Sequence, residues 1–450
     1  MNRSIKMLRA GANKWIKRAA GLKHASLVRR AWTMSGGDIA EYQQKILLQN
    51  YVYAREHVPY YREHPALYPP IDPGLPVASF LARLPVLEKK VVREHMEAFY
   101  AQPRPALTSF HTTSGTSGSP LRLAATLWER GFGTAIYDQW EARVAGRLFP
   151  RTLFLSGFLT PESGSRDLYW RDPVSGNVFL SIYALNAAHR AEIASLINRM
   201  RPQLIFGYAS TVHNLAQVLG DSVADSSDSR VSIVTSEVLN PAWREEIQTN
   251  LCRRVYDMYG SQEGCHLALE CDQGRLHLHP LVGILEIVDE AGQPVPAGQA
   301  GQGLVTGLVR RTMPLFRYRL GDTIESTGFS TGCPCGLSWP TIGAVSGRSE
   351  DLVITRDGRR VGYLCFHSTK NLSGISESQL VQVDFERFVF NIVLADTAAD
   401  RPSLEAKIQE QLRNRLQTPV SVEFRYLAGI PRGARGKFKS VVVDFSGGEA

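Results

Sequence analysis

The chain has 450 residues, of which 44% are hydrophobic and 21% are charged. These values are typical of a globular protein with two or three domains, and they exclude disordered and fibrous classes. Six cysteines in a chain of this length also exclude a disulfide scaffold. No apolar run reaches the roughly 18 residues that a membrane span requires, and no secretory signal is evident, which predicts a cytoplasmic protein.

The net charge of +8 is concentrated in residues 1–37, which hold nine Lys or Arg and no acid. The remainder is close to neutral, so the charge does not indicate a nucleic-acid partner. Apolar residues at spacings of three and four, from Ile5 through Trp15 to Leu22, predict a basic amphipathic helix. Two interpretations stay open: a cap helix packed on its own domain, or peripheral contact of residues 1–32 with an anionic membrane.

Strands and helices alternate between residues 105 and 260. Strands are predicted at 151–157, 203–207, 232–235 and 255–258, and helices at 186–200 and 241–252, with Asn240 as N-cap of the second helix. This order predicts a parallel sheet covered by helices. Residues 275–330 alternate as short antiparallel strands do.

A smaller α+β unit is predicted at the C-terminal end of the chain. Strands are expected near 351–354, 388–394 and 420–426, and Leu404, Ile408 and Leu412 share one face of an intervening helix. We therefore predict an α/β fold with a basic segment 1–37, a large domain 38–348 containing mixed and parallel sheets, and a small mobile domain 349–450.

Two loops suit a nucleotide and its substrate. A run of hydroxyl and glycine residues has little side-chain bulk, so its N–H and hydroxyl groups can close around phosphate oxygens. The run consists of Thr113, Ser114, Gly115, Thr116, Ser117 and Gly118. Far along the chain, Lys437 lies in a Gly-flanked loop as a mobile point charge. The alternatives are a flexible linker and a solvated lysine.

A second group of polar residues follows the strand predicted at 255–258, at its carboxyl end, where ligands bind in parallel sheets. The group consists of Asp257, Tyr259, Gly260, Ser261 and Glu263. Tyr259 is suited to stack on a base, and Glu263 to hold Mg²⁺ through carboxylate oxygens. Asp322, placed by a glycine turn, is suited to accept hydrogen bonds from a ribose. The alternatives are a surface turn and an ordinary hairpin.

Four further residues have the chemistry of a closed structural zinc site, because Zn²⁺ prefers thiolate and imidazole ligands. They are Cys271, His277, Cys333 and Cys335. His279 shares a strand face with His277, and Cys265 and His266 lie nearby in sequence, so the spacing alone leaves the ligand set open. Reduced core cysteines with surface histidines are the alternative.

These motifs occur in the order found in a known family. They are Thr-Ser-Gly-Thr-Ser-Gly, Thr235-Ser236-Glu237, Tyr-Gly-Ser-Gln-Glu, Tyr-Arg-Leu-Gly-Asp followed by Gly-Arg-Ser-Glu-Asp, and Gly-Lys. Over roughly residues 40–445 the chain resembles the adenylate-forming acyl-CoA ligase superfamily, and within it the phenylacetate-CoA ligase branch, including members from capsule-biosynthesis gene clusters.

The resemblance implies that ATP activates a carboxylic acid as an acyl-adenylate and that a thiol, most simply CoA, then displaces AMP. A carrier-protein thiol or an amine is the alternative acceptor, and a non-catalytic zinc-containing assembly protein of polysaccharide biosynthesis is the second alternative. A homodimer stays open.

The resemblance also implies roles for individual residues. Lys437 bridges the carboxylate and the α-phosphate, Glu263 holds Mg²⁺, Arg348 lies near the ribose-phosphate and Asp322 holds the ribose. Ser236 and Glu237 border the adenine or acyl pocket, Asp351 is the hinge of the mobile domain, and His277 is favoured over His279 as the zinc ligand.

This chain departs from the family pattern at two positions. Ser119 stands where many relatives carry lysine, which removes one phosphate-binding charge that Arg122 is the candidate to replace, and Gln262 stands where threonine is common. The acid itself is not identified. Aromatic side chains that either line its pocket or belong to the core are Tyr137, Trp140, Phe206 and Tyr208.

Overall fold

The structure is a computed structural model of the chain. It describes all residues except 1–2, 71, 113–120, 156–166, 186, 221, 224–228, 238, 240, 347–352, 357–359, 362–374, 395–399, 417, 431–440 and 446–450.

The helices of the described residues lie mainly in the first 250 residues. They are α1 (Arg3–Gly21), α2 (Ala25–Ala31), α3 (Gly36–His57), α4 (Pro59–Glu63), α5 (Val77–Leu81), α6 (Lys89–Glu94), α7 (Leu127–Ala145), α8 (Arg190–Met200), α9 (Ala209–Leu219), α10 (Pro241–Asn250) and α11 (Arg401–Leu416).

The strands begin after α6 and continue to the C-terminal unit. They are β1 (Thr108–Thr112), β2 (Arg122–Thr126), β3 (Thr152–Leu155), β4 (Tyr169–Arg171), β5 (Val178–Leu180), β6 (Leu204–Tyr208), β7 (Val231–Thr235), β8 (Arg254–Gly260), β9 (Leu267–Glu270), β10 (Leu276–Leu278), β11 (Gly283–Val288), β12 (Ala300–Gly307), β13 (Tyr318–Glu325), β14 (Thr341–Ile342), β15 (Val345–Ser346), β16 (Val353–Ile354), β17 (Arg360–Val361), β18 (Ile375–Gln382), β19 (Arg387–Leu394), β20 (Ser421–Tyr426) and β21 (Val441–Val443).

A nine-stranded sheet in the order β14-β10-β9-β8-β7-β6-β3-β5-β4 forms the centre of the large domain. Strands β5, β3, β6, β7 and β8 are parallel, as predicted, and antiparallel strands complete both edges. Helices α8, α9 and α10 pack on one face, whereas α2 and α7 cover the other. The strands run as continuous apolar segments because both faces are covered.

A second, four-stranded antiparallel sheet contains β11, β12, β13 and β15. It packs against α3, α5 and the hairpin β1–β2 through an aromatic core in which the rings of Tyr51, Tyr61 and Phe316 meet edge to face. The predicted antiparallel pattern between residues 275 and 330 is therefore confirmed.

The C-terminal unit has its own four-stranded sheet, in the order β20-β19-β18-β21, with α11 on one face. Leu404, Ile408 and Leu412 are buried against this sheet, as their spacing predicts. The predicted α/β fold, with a large domain followed by a small α+β domain, is confirmed. Asp351, the predicted hinge, and Asn240, the predicted N-cap, lie outside the described residues.

Helix α1 packs on α7 through a face that differs from the predicted apolar seam. Leu22 keeps 72% of its surface exposed, and Ala12 and Ala19 are also exposed. The packed face instead carries Arg18, which donates two hydrogen bonds of 2.7 and 2.9 Å to Asp138. The helix is therefore a cap on its own domain, but part of its basic face is buried rather than solvated.

Gly131 lets α1 and α7 approach closely. A Cβ at Gly131 would lie 2.7 Å from the backbone nitrogen of Gly21, whereas a Cβ at Gly133, two residues along α7, would meet nothing within 4 Å. We expect Gly131→Ala to destabilise the large domain by about 1–3 kcal/mol, since backbone atoms must move. Gly133→Ala should be neutral or slightly stabilising. Thermal unfolding and tryptic cleavage within α1 are the measurements, and equal behaviour of the two variants would contradict the close approach.

Candidate functional site

The site begins at the carboxyl ends of the parallel strands. Tyr208 and Thr235, the last residues of β6 and β7, lie in register with Met258 near the end of β8, so Ser236 and Tyr259 lie at one edge of the sheet. Ser236 has φ of +68°, a left-handed conformation that a non-glycine residue adopts at a local cost in free energy. The structure therefore brings the predicted 235–237 motif and residues 259–263 of the second motif to the same crevice.

Tyr259 and Asp322 meet in this crevice although they lie on different sheets. The Tyr259 hydroxyl donates a 2.9 Å hydrogen bond to Asp322 Oδ2, and the Tyr259 ring lies 4.7 Å from the ring of His266. Burial lowers the pKa of His266 to about 4, so this imidazole is neutral at pH 7. The predicted base-stacking and ribose residues are therefore neighbours.

Glu263 lies just beyond the end of β8 with only 8% of its surface exposed. The Tyr318 hydroxyl donates to Glu263 Oε1 at 3.3 Å, and no described residue donates a hydrogen bond to Oε2. The hydroxyl of Ser261 is buried and has no hydrogen-bond partner among the described residues. A carboxylate oxygen and an orphaned hydroxyl are hard donors of the kind that Mg²⁺ and phosphate groups engage, so these residues fit a Mg–nucleotide complex.

His111, at the end of β1, connects this edge to the start of the 113–118 loop. Its Nε2 lies 3.2 Å from the carbonyl oxygen of Gln262, and its Nδ1 lies 3.0 Å from the Arg130 guanidinium on α7. Burial, together with the neighbouring Arg310, lowers the pKa of His111 to about 4. The neutral ring therefore donates from Nε2 to Gln262 and accepts at Nδ1 from Arg130.

Arg310, in the turn after β12, completes a cluster of cations. Its guanidinium lies against Gly264, whose φ is +65° and where an added Cβ would come within 2.7 Å of Arg310 Nη2. No described residue forms a hydrogen bond or ion pair with this guanidinium, and Arg130 and Glu263 both interact with it electrostatically. Glu129 also interacts electrostatically with Arg310, but no ion pair forms among the described residues, so the N–H donors of this guanidinium are available to a bound anion.

Glu129 fixes the backbone on which Arg310 stands. Its Oε1 accepts hydrogen bonds from the backbone nitrogens of Arg311 at 2.8 Å and Thr312 at 3.0 Å. Its Oε2 accepts from the Thr312 hydroxyl at 2.7 Å and from the nitrogen of Thr126, the N-cap of α7. One carboxylate therefore ties the Arg310 turn to the first turn of α7.

The cysteine–histidine group forms a compact cluster beside β9, β10 and β14. The ligand atoms of Cys271, His277, Cys333 and Cys335 all lie within 4.8 Å of one another. Cys271 Sγ and Cys333 Sγ are 3.8 Å apart, and Cys335 Sγ is 3.4 Å from His277 Nε2. Tetrahedral Zn²⁺ with ordinary bond lengths separates two thiolates by about 3.8 Å and a thiolate from an imidazole nitrogen by about 3.5 Å.

The surroundings of the cluster also fit a metal. His277 Nδ1 donates to the Trp339 carbonyl at 3.1 Å, which fixes the tautomer that leaves Nε2 for a ligand role. His279 points elsewhere, since its ring contacts the Trp339 ring edge to face at 4.6 Å. The choice of His277 over His279 is therefore consistent with the geometry.

Several predicted site residues lie outside the described residues or away from this crevice. Thr113, Ser114, Gly115, Thr116, Ser117, Gly118, Arg348 and Lys437 lie outside the described residues. Asp257 faces Glu270 and Arg244 in a separate cavity, where burial and the Glu270 charge raise its pKa to about 6. Arg122 lies 4.0 Å from the centre of the Phe110 ring.

Sequence reasoning did not single out three candidate site residues, Arg310, Arg130 and Glu129. Each is an ordinary charged residue in a surface pattern, and no spacing rule connects positions 130 and 310. The one sequence feature that could have indicated Arg310 is its position shortly before the motif that ends at Asp322. Of the four aromatic candidates, Trp140 is 2% exposed within the core, whereas Tyr137 is 38% exposed beside the cations.

Among the described helices, none combines the length and apolar character needed to cross a membrane.

Comparisons with known proteins agree with the predicted resemblance. Residues 353–444 match the family described as CapK C-terminal domain. Protein CapK of Staphylococcus aureus is 21% identical over 407 residues, covering 89% of this chain and 88% of the relative. The phenylacetate-coenzyme A ligase of Thermus thermophilus is 26% identical over 333 residues, covering 70% of this chain and 71% of the relative.

A solved structure shares the fold. It is 2-hydroxyisobutyryl-CoA ligase in complex with 2-HIB-AMP and CoA, which superimposes with a TM-score of 0.59 at 19% identity and covers 92% of both chains. The predicted similarity to adenylate-forming acyl-CoA ligases, and to the phenylacetate-CoA ligase branch, is therefore confirmed.

Proposed function

We propose that this chain, a relative of phenylacetate-CoA ligases and of CapK, uses ATP to activate a carboxylic acid as an acyl-adenylate and then transfers the acyl group to CoA. The observation that carries the proposal is the convergence at one sheet edge of the Tyr259–Asp322 pair, Glu263 and the Arg130–Arg310 cations. The Tyr259–Asp322 pair suits a nucleoside, Glu263 suits a metal ion, and the two arginines suit a polyphosphate.

Arg130 and Arg310 would reduce the electrostatic repulsion between the carboxylate and the phosphates during formation of the acyl-adenylate. A carboxylate about 4 Å from a phosphate oxygen meets repulsion of roughly 4 kcal/mol per charge pair at an effective dielectric of 20. Arg310 and Arg130 offset this repulsion and replace the charge that Ser119 lacks. Mg²⁺ held by Glu263 would neutralise further phosphate charge. Catalysis would therefore rest on positioning and electrostatic stabilisation.

The other assigned residues complete the proposal. Asp322 accepts hydrogen bonds from the ribose, and Tyr259, Gly260 and Ser261 border the nucleotide. Ser236 and Glu237 lie between nucleotide and acid. The predicted contact of Asp257 with the nucleotide is not part of the proposal, because this side chain faces a separate cavity. The 113–118 loop binds the β- and γ-phosphates, Arg348 lies near the ribose-phosphate, and Lys437 bridges the carboxylate and the α-phosphate.

We also propose that Cys271, His277, Cys333 and Cys335 hold structural Zn²⁺. The four protein ligands leave no open coordination position, so this metal would stabilise the fold rather than take part in the reaction. The indole nitrogen of Trp339, beside the cluster, donates to the Ala31 carbonyl at 2.8 Å and connects the metal loop to the end of α2.

Acid-dependent exchange of labelled pyrophosphate into ATP tests the proposed function. We expect exchange with at least one carboxylic acid, phenylacetate first, and none without acid. Release of AMP on adding CoA would identify the acceptor, and the same assay with a carrier protein or an amine tests the alternative acceptors. No exchange across a broad acid panel would instead favour the non-catalytic assembly protein, whose role in capsular polysaccharide biosynthesis is the second candidate because of the CapK match.

Arg310→Ala is expected to weaken ATP binding and to slow exchange about 10- to 100-fold, because an unpaired charge facing the phosphates is lost. Arg311→Ala is the matched control, since Arg311 points away and donates to Asn50 at 2.8 Å. Kinetics at varied ATP would separate KM from kcat. Equal effects of the two substitutions would contradict the role of Arg310.

A further inference from the structure

Helix α1 packs on its domain with its apolar seam turned outward. Ile16 has 51% of its surface exposed and Leu22, in the turn after the helix, has 72%. Ala12 and Ala19 are exposed too, and the four residues recur at spacings of three and four, so they form a stripe along one side, about 15 Å long. A helix normally turns such a stripe toward its own core, whereas α1 turns Arg18 inward.

Exposed apolar side chains from α7 and the loop after it adjoin this stripe. Trp128, in the first turn of α7, is 45% exposed, and the Lys23 ammonium lies 4.2 Å from the centre of its ring. Phe149 is 42% exposed, with its ring 6.2 Å from that of Trp15, and Leu148 is 57% exposed. These residues form the α1 surface, which consists of Ala12, Ile16, Ala19, Leu22, Trp128, Leu148 and Phe149.

The loop that carries Leu148 and Phe149 has an unusual backbone. Gly146 ends α7 with φ of +72°, and Phe149 has φ of +53°, a left-handed conformation that a non-glycine residue adopts at a cost in free energy. Arg147 is exposed between them. Local strain of this kind is characteristic of functional segments, and here it accompanies adjacent basic and apolar side chains at the surface.

The segment that carries the stripe is strongly basic. Residues 1–37 hold nine Lys or Arg and no acid, and Lys23 and Arg29 are exposed, as is Arg147 in the adjoining loop. Asp138, the α7 acid that Arg18 binds, is held in the helix interface with 13% of its side chain exposed. A second copy of the chain docked on the same surface would bring like charges together, whereas an anionic surface would complement them.

We propose that the α1 surface binds an anionic lipid bilayer peripherally, with the helix axis parallel to the membrane plane. Its Ile, Leu, Trp and Phe side chains would enter the boundary between headgroups and acyl chains, and the neighbouring Lys and Arg side chains would contact lipid phosphates. The long apolar stems of Lys and Arg let their charged ends reach the headgroups from a helix at this depth. One side of α1 thus caps the domain and the other attaches it to a membrane.

Flotation of the full chain with lipid vesicles tests this inference. We expect binding to phosphatidylcholine vesicles that contain about one third phosphatidylglycerol to be at least about tenfold tighter than binding to phosphatidylcholine alone. Added salt should weaken the binding, because it screens exposed charges. No binding to the anionic vesicles at low salt, or equal binding to the two compositions, would overturn the inference.

Substitutions separate the α1 surface from ordinary exposed residues. Ile16→Ser and Phe149→Ser should each weaken vesicle binding about five- to tenfold, because an apolar side chain no longer enters the bilayer. Leu67→Ser is the matched control, since Leu67 is 47% exposed and lies outside this surface. Lys23→Gln should likewise weaken binding to anionic vesicles more than Lys90→Gln, which removes a lysine with 78% of its side chain exposed on α6.

The inference does not depend on the proposed function. The substituted side chains are exposed, so thermal unfolding and acid-dependent pyrophosphate exchange should match those of the unmodified chain. Equal effects of Ile16→Ser and Leu67→Ser on vesicle binding would count against the α1 surface. If Ile16→Ser instead abolished a dimer in solution and left vesicle binding unchanged, the surface would be an interface between copies of the chain, and the inference would be wrong.

Discussion

Replacing Lys437 by alanine is expected to slow acyl-adenylate formation at least about 100-fold while changing ATP affinity by less than about threefold. In the proposed function, the ammonium acts where the carboxylate and the α-phosphate come together, whereas Mg²⁺, Arg130 and Arg310 offset most of the phosphate charge in the ground state. Single-turnover formation of the adenylate and equilibrium binding of an ATP analogue are the two measurements.

Lys439→Ala is the matched control for Lys437, because it removes the same charge two residues along the same segment. Thioester formation from preformed acyl-adenylate should be nearly unchanged in the Lys437 variant, since the proposed domain movement withdraws this lysine before the second step. Equal losses in ATP binding and in adenylation, or equal effects of the two substitutions, would remove Lys437 from its assigned position.

Loss of the proposed zinc site is the second change for which we expect a large effect. Cys333→Ser should abolish stoichiometric zinc and lower the free energy of unfolding of the large domain by at least about 5 kcal/mol, because binding of structural Zn²⁺ is part of the folding free energy. A strong chelator should act in the same direction on the unmodified chain. Metal analysis by mass spectrometry and thermal unfolding are the measurements.

Cys252→Ala distinguishes metal loss from ordinary core damage. Cys252 is fully buried beneath α10, so its truncation should lower stability moderately and leave the zinc content unchanged. If the Cys333 variant retained zinc, or if both variants lost equal stability with no metal in the unmodified chain, the cluster would be a group of reduced thiols.

Much of the fold follows from local patterns in the sequence. The apolar runs that became β6, β7 and β8 and the helices between them fix a parallel sheet, and a parallel sheet fixes which ends of its strands bear polar loops. Because Tyr259 and Glu263 come at or just after the end of β8, the sequence alone predicts that they lie at the carboxyl edge of the sheet. The four candidate zinc ligands were recognisable because cysteine and histidine are rare enough in this chain for their spacing to stand out.

The rest depends on contacts between distant segments. Periodicity assigned the buried side of α1 to its apolar residues, but the glycine pair at Gly21 and Gly131 and the Arg18–Asp138 bonds select another side. The number and spacing of apolar residues do not show where the backbones of two helices come into contact. For the same reason, the proposed role of Arg310 depends on its contacts with Gly264 and on the turn that Glu129 holds, and both residues are remote in sequence.

The four hydrogen bonds accepted by Glu129 have an evolutionary consequence. They join the cap of α7 to Thr312 and the Arg310 turn, so a substitution at position 129 releases both segments together. The effects on stability of substitutions at positions 129 and 312 should therefore be non-additive, because the two residues are hydrogen-bonded to each other. Lineages that exchange one should carry a compensating exchange at the other.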